Sequence, residues 1–281
     1  MALIKLSVII VNYNTREDLR ACLTALHDCR PMPEIIVVDN ASRDGSAAMV
    51  KQEFPRVVLL EPGHNTWFCG GNNLGVAAAH GEYALLLNPD TIPPPGALGL
   101  MVRYMDQHPA YAGVTMQLRY PNGEIQRTCS RIPTFRYLLL TQTPLQWIFR
   151  GACRKAQQQH WYEHEGWTRE TDFDVEAVPG SCTLMRRDEL HLNEELLLYF
   201  PEEDLAQQAG GRKFRFLSEM SIIHREKSAT RSPLAMRIYF QDMITYTRRY
   251  HGKGRALLLW LASRPLKWGL EIRWAIAQRQ R

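Results

Sequence analysis

The chain has 281 residues, enough for one large domain or for a domain of about 200 residues with an appendage. Its apolar content of 45% and charged content of 22% are ordinary for a globular protein. No segment reaches the roughly 20 apolar residues that a spanning helix needs, and Met1 leads into a strand-like stretch without a cleavable signal. These features predict a cytoplasmic protein without a transmembrane helix.

Charge is unevenly distributed along the chain. Residues 231–281 contain 11 Lys and Arg against two acidic residues, a local charge of +9. Because the whole chain carries +5, the first 230 residues sum to −4. The basic tail indicates either an acidic partner, such as anionic lipid or nucleic acid, or simply a solvated helical face.

The six cysteines, at positions 22, 29, 69, 129, 153 and 182, are scattered. No two form a CxxC pair, and no Cys/His cluster has the spacing of a zinc site. This usage predicts reduced, mostly buried thiols in a cytoplasmic setting.

Apolar strands and amphipathic helices alternate over the first 90 residues. Strands are predicted at 6–12, 34–39, 57–60 and 83–88, with helices at 15–29, 42–53 and 72–80 between them. Continuous β-branched runs are typical of strands buried on both faces. The alternation therefore predicts an α/β fold with a doubly wound, mostly parallel sheet.

The rest of the chain is less regular. We predict a helix at 96–108, a hairpin of 114–120 and 124–129 around an Asn-Gly turn, and an aperiodic segment at 132–171 that forms a substrate-facing insertion or lid. Further strands are predicted at 175–185, 214–217 and 220–224, and helices at 205–209, 233–250 and 255–278. The predicted domains are 1–230, with halves 1–112 and 113–230, and a helical tail 231–281.

Polar residues follow three of the predicted parallel strands. In open α/β sheets, ligands bind beyond the carboxyl ends of the strands, so these residues predict a nucleotide site, although they could also simply cap the next helices. The residues are Asn12, Tyr13, Asn14, Asp39, Asn40, Asn88 and Asp90.

A carboxylate and a Gly/Asn-rich segment add chemistry to this edge. Asp90 has the right chemistry to hold a divalent cation that bridges two phosphates. A predicted loop that opens a helix would let its backbone approach a phosphate closely. Its candidate donor-binding residues are Asn65, Gly70, Gly71, Asn72 and Asn73.

Four motifs in this order resemble the family 2 glycosyltransferases, over about residues 5–250: SVIIVNYN at 7–14, IVVDNASRDGS at 36–46, NTWFCGGNN at 65–73 and LNPD at 87–90. The resemblance is strongest to rhamnosyltransferase-like members of bacterial cell-surface polysaccharide synthesis. It implies a GT-A fold, inversion at the anomeric carbon, and Mg²⁺ or Mn²⁺ as cofactor.

The resemblance also implies the partners. The donor would be a nucleoside-diphosphate sugar, a UDP- or dTDP-sugar such as dTDP-rhamnose, and the acceptor a glycan or a lipid-linked molecule. No nucleic-acid partner is expected. The alternative is a catalytically degenerate module that binds nucleotide or glycan, because Asn88 stands where the family has the first acid of Asp-x-Asp.

Site roles follow from the same resemblance. Asp39 would contact the nucleobase or ribose, and Asp90 would bind the metal together with a late histidine, His224. The segment around Gly180 and Ser181 would bind the acceptor. Two basic residues, Lys227 and Arg231, would face the diphosphate.

An acidic run at the start of a helix supplies candidates for the general base. A carboxylate there could remove the proton of an acceptor hydroxyl. The candidates are Glu202, Glu203 and Asp204. Pro201 occupies the first position of the family's Glu-Asp-x-Asp pattern, which leaves the identity of the base open, and Glu202 ranks slightly ahead. The simpler interpretation is a helix start stabilised by acids.

Large apolar residues recur at helical spacing in the tail, among them Leu257, Leu261, Trp268 and Ile272, with Arg and Lys beside them. Three interpretations stay open. The helix lies on an anionic membrane surface, packs on the catalytic domain, or forms a homodimer contact.

Overall fold

The structure, a computed structural model, describes residues 5–226 and 232–279. Within these residues the strands are β1 Leu6–Asn12, β2 Glu34–Asp39, β3 Val58–Leu60, β4 Tyr83–Leu87, β5 Thr91–Ile92, β6 Gly113–Arg119, β7 Phe173–Val175, β8 Cys182–Arg186 and β9 Phe214–His224. The helices are α1 Arg16–His27, α2 Ser46–Glu53, α3 Trp67–Ala78, α4 Ala97–Gln107, α5 Phe135–Thr141, α6 Leu145–Ile148, α7 Arg150–His160, α8 Pro201–Gln208, α9 Pro233–His251 and α10 Lys253–Arg279.

All nine strands of the described ranges belong to one sheet, in the order β3-β2-β1-β4-β8-β6-β9-β5, with β7 also paired to β9. The strands β1 to β4 pair in parallel, and β6 and β9 run in the same direction. β5, β7 and β8 run the opposite way. The predicted α/β class with a mostly parallel sheet is confirmed.

Two apolar clusters cover the two faces of the sheet. Because successive side chains of a strand point to opposite faces, Val8 and Ile10 of β1 belong to one cluster and Ile9 to the other. The second cluster also takes Met243 and Tyr246 from α9. The tail therefore shares a core with the preceding residues, while the predicted boundary at residue 230 stays a prediction.

The Gly/Asn-rich segment is helical, so the prediction of a loop there is wrong. Helix α3 begins at Trp67, five residues before its predicted start. A Cβ at Gly71 would lie 2.8 Å from Val11 Cγ1, and a Cβ at Gly75 would lie 2.3 Å from Ile9 Cγ2. The absent side chains therefore let α3 lie directly on β1.

Long-range contacts changed several predictions in the second half. The predicted hairpin is reduced to one bridge, between Arg119 and Ile125, because β6 pairs with β8 and β9 instead. The aperiodic segment at 132–171 contains helices α5 to α7. The two strands predicted within 214–224 form the single strand β9.

Two further expectations concern the whole chain. All six cysteines are buried free thiols, as predicted. Among the described residues, no helix is long and apolar enough to cross a lipid bilayer.

Candidate active site

A cavity of about 1010 Å³ lies at the carboxyl ends of β1, β2 and β4 and is lined by both halves of the chain. Its position is the one that the polar strand ends predicted. The predicted site residues that line it are Tyr13, Asn40, Asn65, Asn88, Asp90, Gly180, Ser181, Glu202, Glu203 and His224.

Asp90 and His224 meet at one wall of this cavity. The short antiparallel pairing of β5 with β9 places Thr91 opposite His224, which brings the preceding Asp90 beside the imidazole. His224 Nε2 lies 3.3 Å from Asp90 Oδ1 and 3.5 Å from Asn88 Nδ2. Only about a tenth of either side chain is exposed, so the pair is held largely out of water.

These two groups fit a divalent cation whose shell is completed by phosphate oxygens. Carboxylate oxygen suits both Mg²⁺ and Mn²⁺, and imidazole nitrogen suits Mn²⁺. The described residues contain no group of three or more His, Cys, Asp or Glu that could hold a metal ion by themselves. Such a cation would therefore need oxygen ligands from the substrate, which a nucleoside diphosphate provides.

The first two strand ends form a hydrogen-bonded network behind the cavity. Asn12 Nδ2 donates to Asp39 Oδ2 at 2.9 Å and to Ser42 Oγ at 3.0 Å, while Asn12 Oδ1 accepts from Thr15. Asn14 Oδ1 accepts from the backbone N–H of Arg43. Asn12, Asn14 and Asp39 thus lie together in one hydrogen-bonded network but do not line the cavity, and their donor contacts stay a prediction.

Asn40 and Asn65 use their side chains to position the start of α3. Asn40 Oδ1 accepts from Thr66, its Nδ2 donates to the carbonyl of Trp67, and Asn65 Oδ1 accepts from the N–H of Trp67. Both asparagines line the cavity.

The four predicted donor-binding residues inside α3 lie away from the cavity wall. Asn72 donates to the carbonyl of Phe68, and Asn73 exchanges hydrogen bonds with the backbone of Leu192. Gly70 and Gly71 face Thr66, and Gly71 also faces Val11. These residues pack against neighbouring side chains or hold the loop around Leu192, so their donor-binding role stays a prediction.

Glu202 and Gly180 are in direct contact. The N–H of Gly180 donates to Glu202 Oε1 at 2.9 Å, and a Cβ at Gly180 would lie 2.6 Å from that oxygen. Position 180 therefore has to be glycine for the carboxylate to sit there. Burial raises the pKa of Glu202.

Glu203 lies in the same cavity beside aromatic side chains. Burial, together with the neighbouring Glu202 carboxylate, raises the pKa of Glu203 to about 8. Tyr137 of α5 and Tyr239 of α9 line the same cavity. Two adjacent carboxyl groups in such surroundings resist carrying two charges at once, which suits proton transfer.

Asp204 is separated from the two glutamates. It is fully buried, accepts from Tyr250 Oη at 2.7 Å and from Gln208 Nε2 at 2.5 Å, and lies 3.5 Å from Arg249 Nε. It does not line the cavity. Its contacts tie α8 to α9, which gives it a structural role in the fold.

Two predicted diphosphate-binding residues are not described by the structure, and several cavity residues were not predicted. Lys227 and Arg231, predicted to face the diphosphate, lie outside the described residues. A group of cavity residues was not predicted, because 132–171 has no clear period, 124–129 was predicted to be a strand, and helical spacing in 233–250 does not show which face lines a cavity. The missed lining residues include Arg127, Tyr137, His160, Trp161 and Tyr239.

Comparison with known proteins places this geometry in context. The sequence profile of "Glycosyl transferase family 2" matches residues 7–189. The N-acetylglucosaminyl-diphospho-decaprenol L-rhamnosyltransferase of Mycobacterium tuberculosis is 22% identical over 284 residues, covering 91% of this chain and 88% of the relative. The hexosyltransferase Agl10 of low-salt glycan biosynthesis in Haloferax volcanii is 32% identical, but over only 89 residues, 30% of this chain and 27% of the relative.

Solved structures agree in fold. The mannosyltransferase PcManGT from Pyrobaculum calidifontis, in complex with GDP-Man and Mn²⁺, has a TM-score of 0.59 at 14% identity, covering 89% of this chain and 64% of that one. TarS 1-349 of S. aureus with UDP-GlcNAc has a TM-score of 0.53 at 15% identity, covering 87% and 66%. Because the family profile spans well over half of the sequence, the chain belongs to glycosyl transferase family 2, and its fold is that of the GT-A glycosyltransferases.

Proposed function

We propose that this glycosyltransferase moves a sugar, with inversion, from a nucleoside-diphosphate sugar to a glycan or lipid-linked acceptor in cell-surface polysaccharide synthesis. The observation that carries the proposal is the convergence of Asp90, His224 and Glu202 on one cavity between the two halves of the chain. These residues supply a metal-binding pair and a carboxylate base. The donor is a UDP- or dTDP-sugar, and the rhamnosyltransferase relative supports dTDP-rhamnose.

Bound Mg²⁺ or Mn²⁺ would neutralise the charge of the departing diphosphate. Asp90 and His224 would hold the ion, while Asn40, Asn65 and Tyr13 would bind the nucleotide beside it. Two proteins of the same fold were crystallised with nucleotide sugars, one with GDP-Man and Mn²⁺ and the other with UDP-GlcNAc, which supports a donor and a metal of these kinds.

Glu202 is the proposed base. The acceptor hydroxyl oxygen attacks the anomeric carbon from the face opposite the diphosphate, and the carbon–oxygen bond to the phosphate breaks. The hydroxyl proton passes to a Glu202 carboxylate oxygen, and the nucleoside diphosphate leaves with the bonding electron pair. Gly180 N–H fixes one oxygen of Glu202, which orients the other.

An apolar wall of the cavity suits a lipid-linked acceptor. Leu234, Ile238 and Tyr239 of α9 face the cavity, as do Pro133 and Leu138 on and before α5. The relative from M. tuberculosis is named for a decaprenol-linked acceptor, which agrees with this surface. Ser181, which also lines the cavity, would contact the acceptor sugar.

Contact with an anionic membrane is part of the same proposal. Helix α10 buries Ala256, Leu259 and Ser263 on one face and leaves a stripe exposed on the other, formed by Leu257, Leu261, Trp268 and Ile272. This helix contains six basic residues and one acidic residue, Glu271. An outward apolar stripe with basic flanks is typical of a helix that lies in a lipid interface.

Donor binding with a defined metal tests the assignment. Wild type should gain thermal stability from UDP- or dTDP-sugars only with Mn²⁺ or Mg²⁺, and should release free nucleoside diphosphate when acceptor is added. Asp90→Ala should lose the metal-dependent shift. Asp106→Ala, which removes a carboxylate bonded to Lys5 and Tyr83 away from the cavity, should keep it.

Two results would count against the proposal. Full turnover by Asp90→Ala would overturn the metal assignment. Donor binding without any release of nucleoside diphosphate, over a panel of lipid-linked and glycan acceptors, would favour the degenerate binding module.

A further inference from the structure

Gln126 is a buried side chain that contacts His224 at two points. Its Oε1 lies 2.8 Å from His224 Nδ1, and its Nε2 donates to the backbone carbonyl of His224 at 2.7 Å. Only 3% of Gln126 is exposed. Its own backbone N–H donates to the carbonyl of Leu118 in β6, which fixes the residue on the sheet.

The two contacts determine which ring nitrogen carries the proton. A backbone carbonyl can only accept, so the amide nitrogen of Gln126 must face it, and the amide oxygen must then face the ring. Because that oxygen can only accept, Nδ1 of His224 is the protonated nitrogen. In the neutral ring, Nε2 therefore carries the lone pair.

The lone pair of Nε2 is directed toward the predicted metal ligand. Nε2 lies 3.3 Å from Asp90 Oδ1, so two electron-pair donors converge on one point of the cavity wall. Asn88 Nδ2, at 3.5 Å, also lies on the Nε2 side of the ring. An imidazole nitrogen and a carboxylate oxygen are both ligands that Mn²⁺ accepts.

We infer that Gln126 is a positioning residue, which fixes the tautomer and orientation of His224 so that Nε2 is presented to the divalent cation. The inference rests on the proposed function, in which Asp90 and His224 hold that cation. Outer hydrogen-bond partners of ligating histidines commonly act in this way, and their loss typically costs 10- to 100-fold in metal affinity.

Titration with Mn²⁺ tests this inference without measuring turnover. Free Mn²⁺ is followed by electron paramagnetic resonance, with Mn²⁺ alone and with whichever of UDP, dTDP and GDP stabilises the wild type most. The variants are Gln126→Met, His224→Ala and the double variant. Gln117→Met is the matched control, because Gln117 is equally buried and donates to the carbonyl of Arg169 instead.

Gln126→Met should weaken Mn²⁺ binding by about 10- to 100-fold and should add little further loss once His224 is alanine. Mg²⁺ affinity should fall less, because nitrogen ligands favour Mn²⁺. If Gln126→Met does not fold, Gln126→Glu replaces it, because a glutamate keeps an oxygen acceptor facing Nδ1 of His224. This variant should bind Mn²⁺ more tightly than His224→Ala does. Gln117→Met should bind as wild type does.

Two different failures can be told apart. The inference would be overturned, and the proposed function left standing, if Gln126→Met bound Mn²⁺ with wild-type affinity. The same would follow if Gln126→Met lowered Mn²⁺ affinity equally in the wild type and in His224→Ala. A wild type that binds no Mn²⁺ even with nucleotide would overturn the metal assignment itself, and the inference with it.

Discussion

The two sides of the cavity hold their carboxylates in different ways. Behind the donor side, Asp39 accepts from Asn12 Nδ2 at 2.9 Å and from the N–H of Ser42 at 2.8 Å, so hydrogen bonds from the end of β1 and from the turn after β2 hold it in place. On the acceptor side, burial raises the pKa of both Glu202 and Glu203. One side therefore holds its carboxylate in a fixed hydrogen-bonded network, whereas burial on the other side favours the protonated form of two carboxyl groups, as the proposed proton transfer requires.

The largest expected effect tests the proton-transfer side. Glu202→Gln should lower the transfer rate by about 10²- to 10⁴-fold, because the proposed base is lost, while donor affinity stays within about threefold of wild type. Initial rates of nucleoside diphosphate release and donor-induced thermal shifts measure the two quantities. Glu189→Gln, at an exposed carboxylate paired with Arg212, is the control. An unchanged transfer rate in Glu202→Gln would show that another residue is the base.

The second prediction concerns the raised pKa of Glu203. A carboxyl whose folded-state pKa is about 8 contributes its full stability below about pH 4.5, and that stability is lost as the pH rises through 8. Glu203→Gln should therefore match wild type near pH 4 and be more stable by roughly 2–4 kcal/mol near pH 9. Denaturant unfolding at both pH values measures the difference.

A matched exposed glutamate provides the control for this measurement. Glu219→Gln should show the same small difference from wild type at both pH values. A Glu203→Gln protein that behaves like Glu219→Gln would show that the pair does not sit in the low-dielectric surroundings inferred here.

The third prediction tests the rigid side. Gly75→Ala places a methyl group 2.3 Å from Ile9 Cγ2, between a helix and a buried strand, and should destabilise the fold by roughly 1–3 kcal/mol. Gly99→Ala in α4 meets nothing within 4 Å and should be neutral or stabilising by up to about 1 kcal/mol. Equal unfolding midpoints for the two variants would contradict the close packing of α3 on β1.

The smallest effect on stability is expected at the exposed stripe of α10. Trp268→Ser with Ile272→Ser should change unfolding by less than about 0.5 kcal/mol yet reduce binding to phosphatidylserine vesicles about tenfold or more. Co-sedimentation measures the bound fraction, and Met32→Ser at another exposed apolar residue is the control. Loss of a concentration-dependent dimer in light scattering, with unchanged vesicle binding, would assign the stripe to a homodimer instead.

Local patterns predicted the donor side well. The strands β1 to β4 fall within one residue of their predicted bounds, because continuous apolar runs and polar strand ends are properties of contiguous sequence. The start of α3 was misplaced, since Gly70 and Gly71 suggest a loop unless the neighbouring β1 is known.

Long-range contacts explain what could not be predicted. Gln126 meets His224 across 98 residues, and Asp242 of α9 accepts from the N–H groups of Leu197, Leu198 and Tyr199 just before α8. No period within either segment signals such contacts. The helices α5 to α7 were missed for a different reason: they are short and pack mainly against one another, so their boundaries do not stand out as one long periodic run.

The two-residue strand β5 has a consequence for how the protein matures. Its pairing with β9 brings His224 beside Asp90, so the proposed cation site joins chain positions 134 residues apart. A nascent chain that has emerged only through β8 would already possess the tips of β1, β2 and β4 but no imidazole beside Asp90. In the proposed function, metal-dependent donor binding would therefore become possible only after β9 has paired with β5.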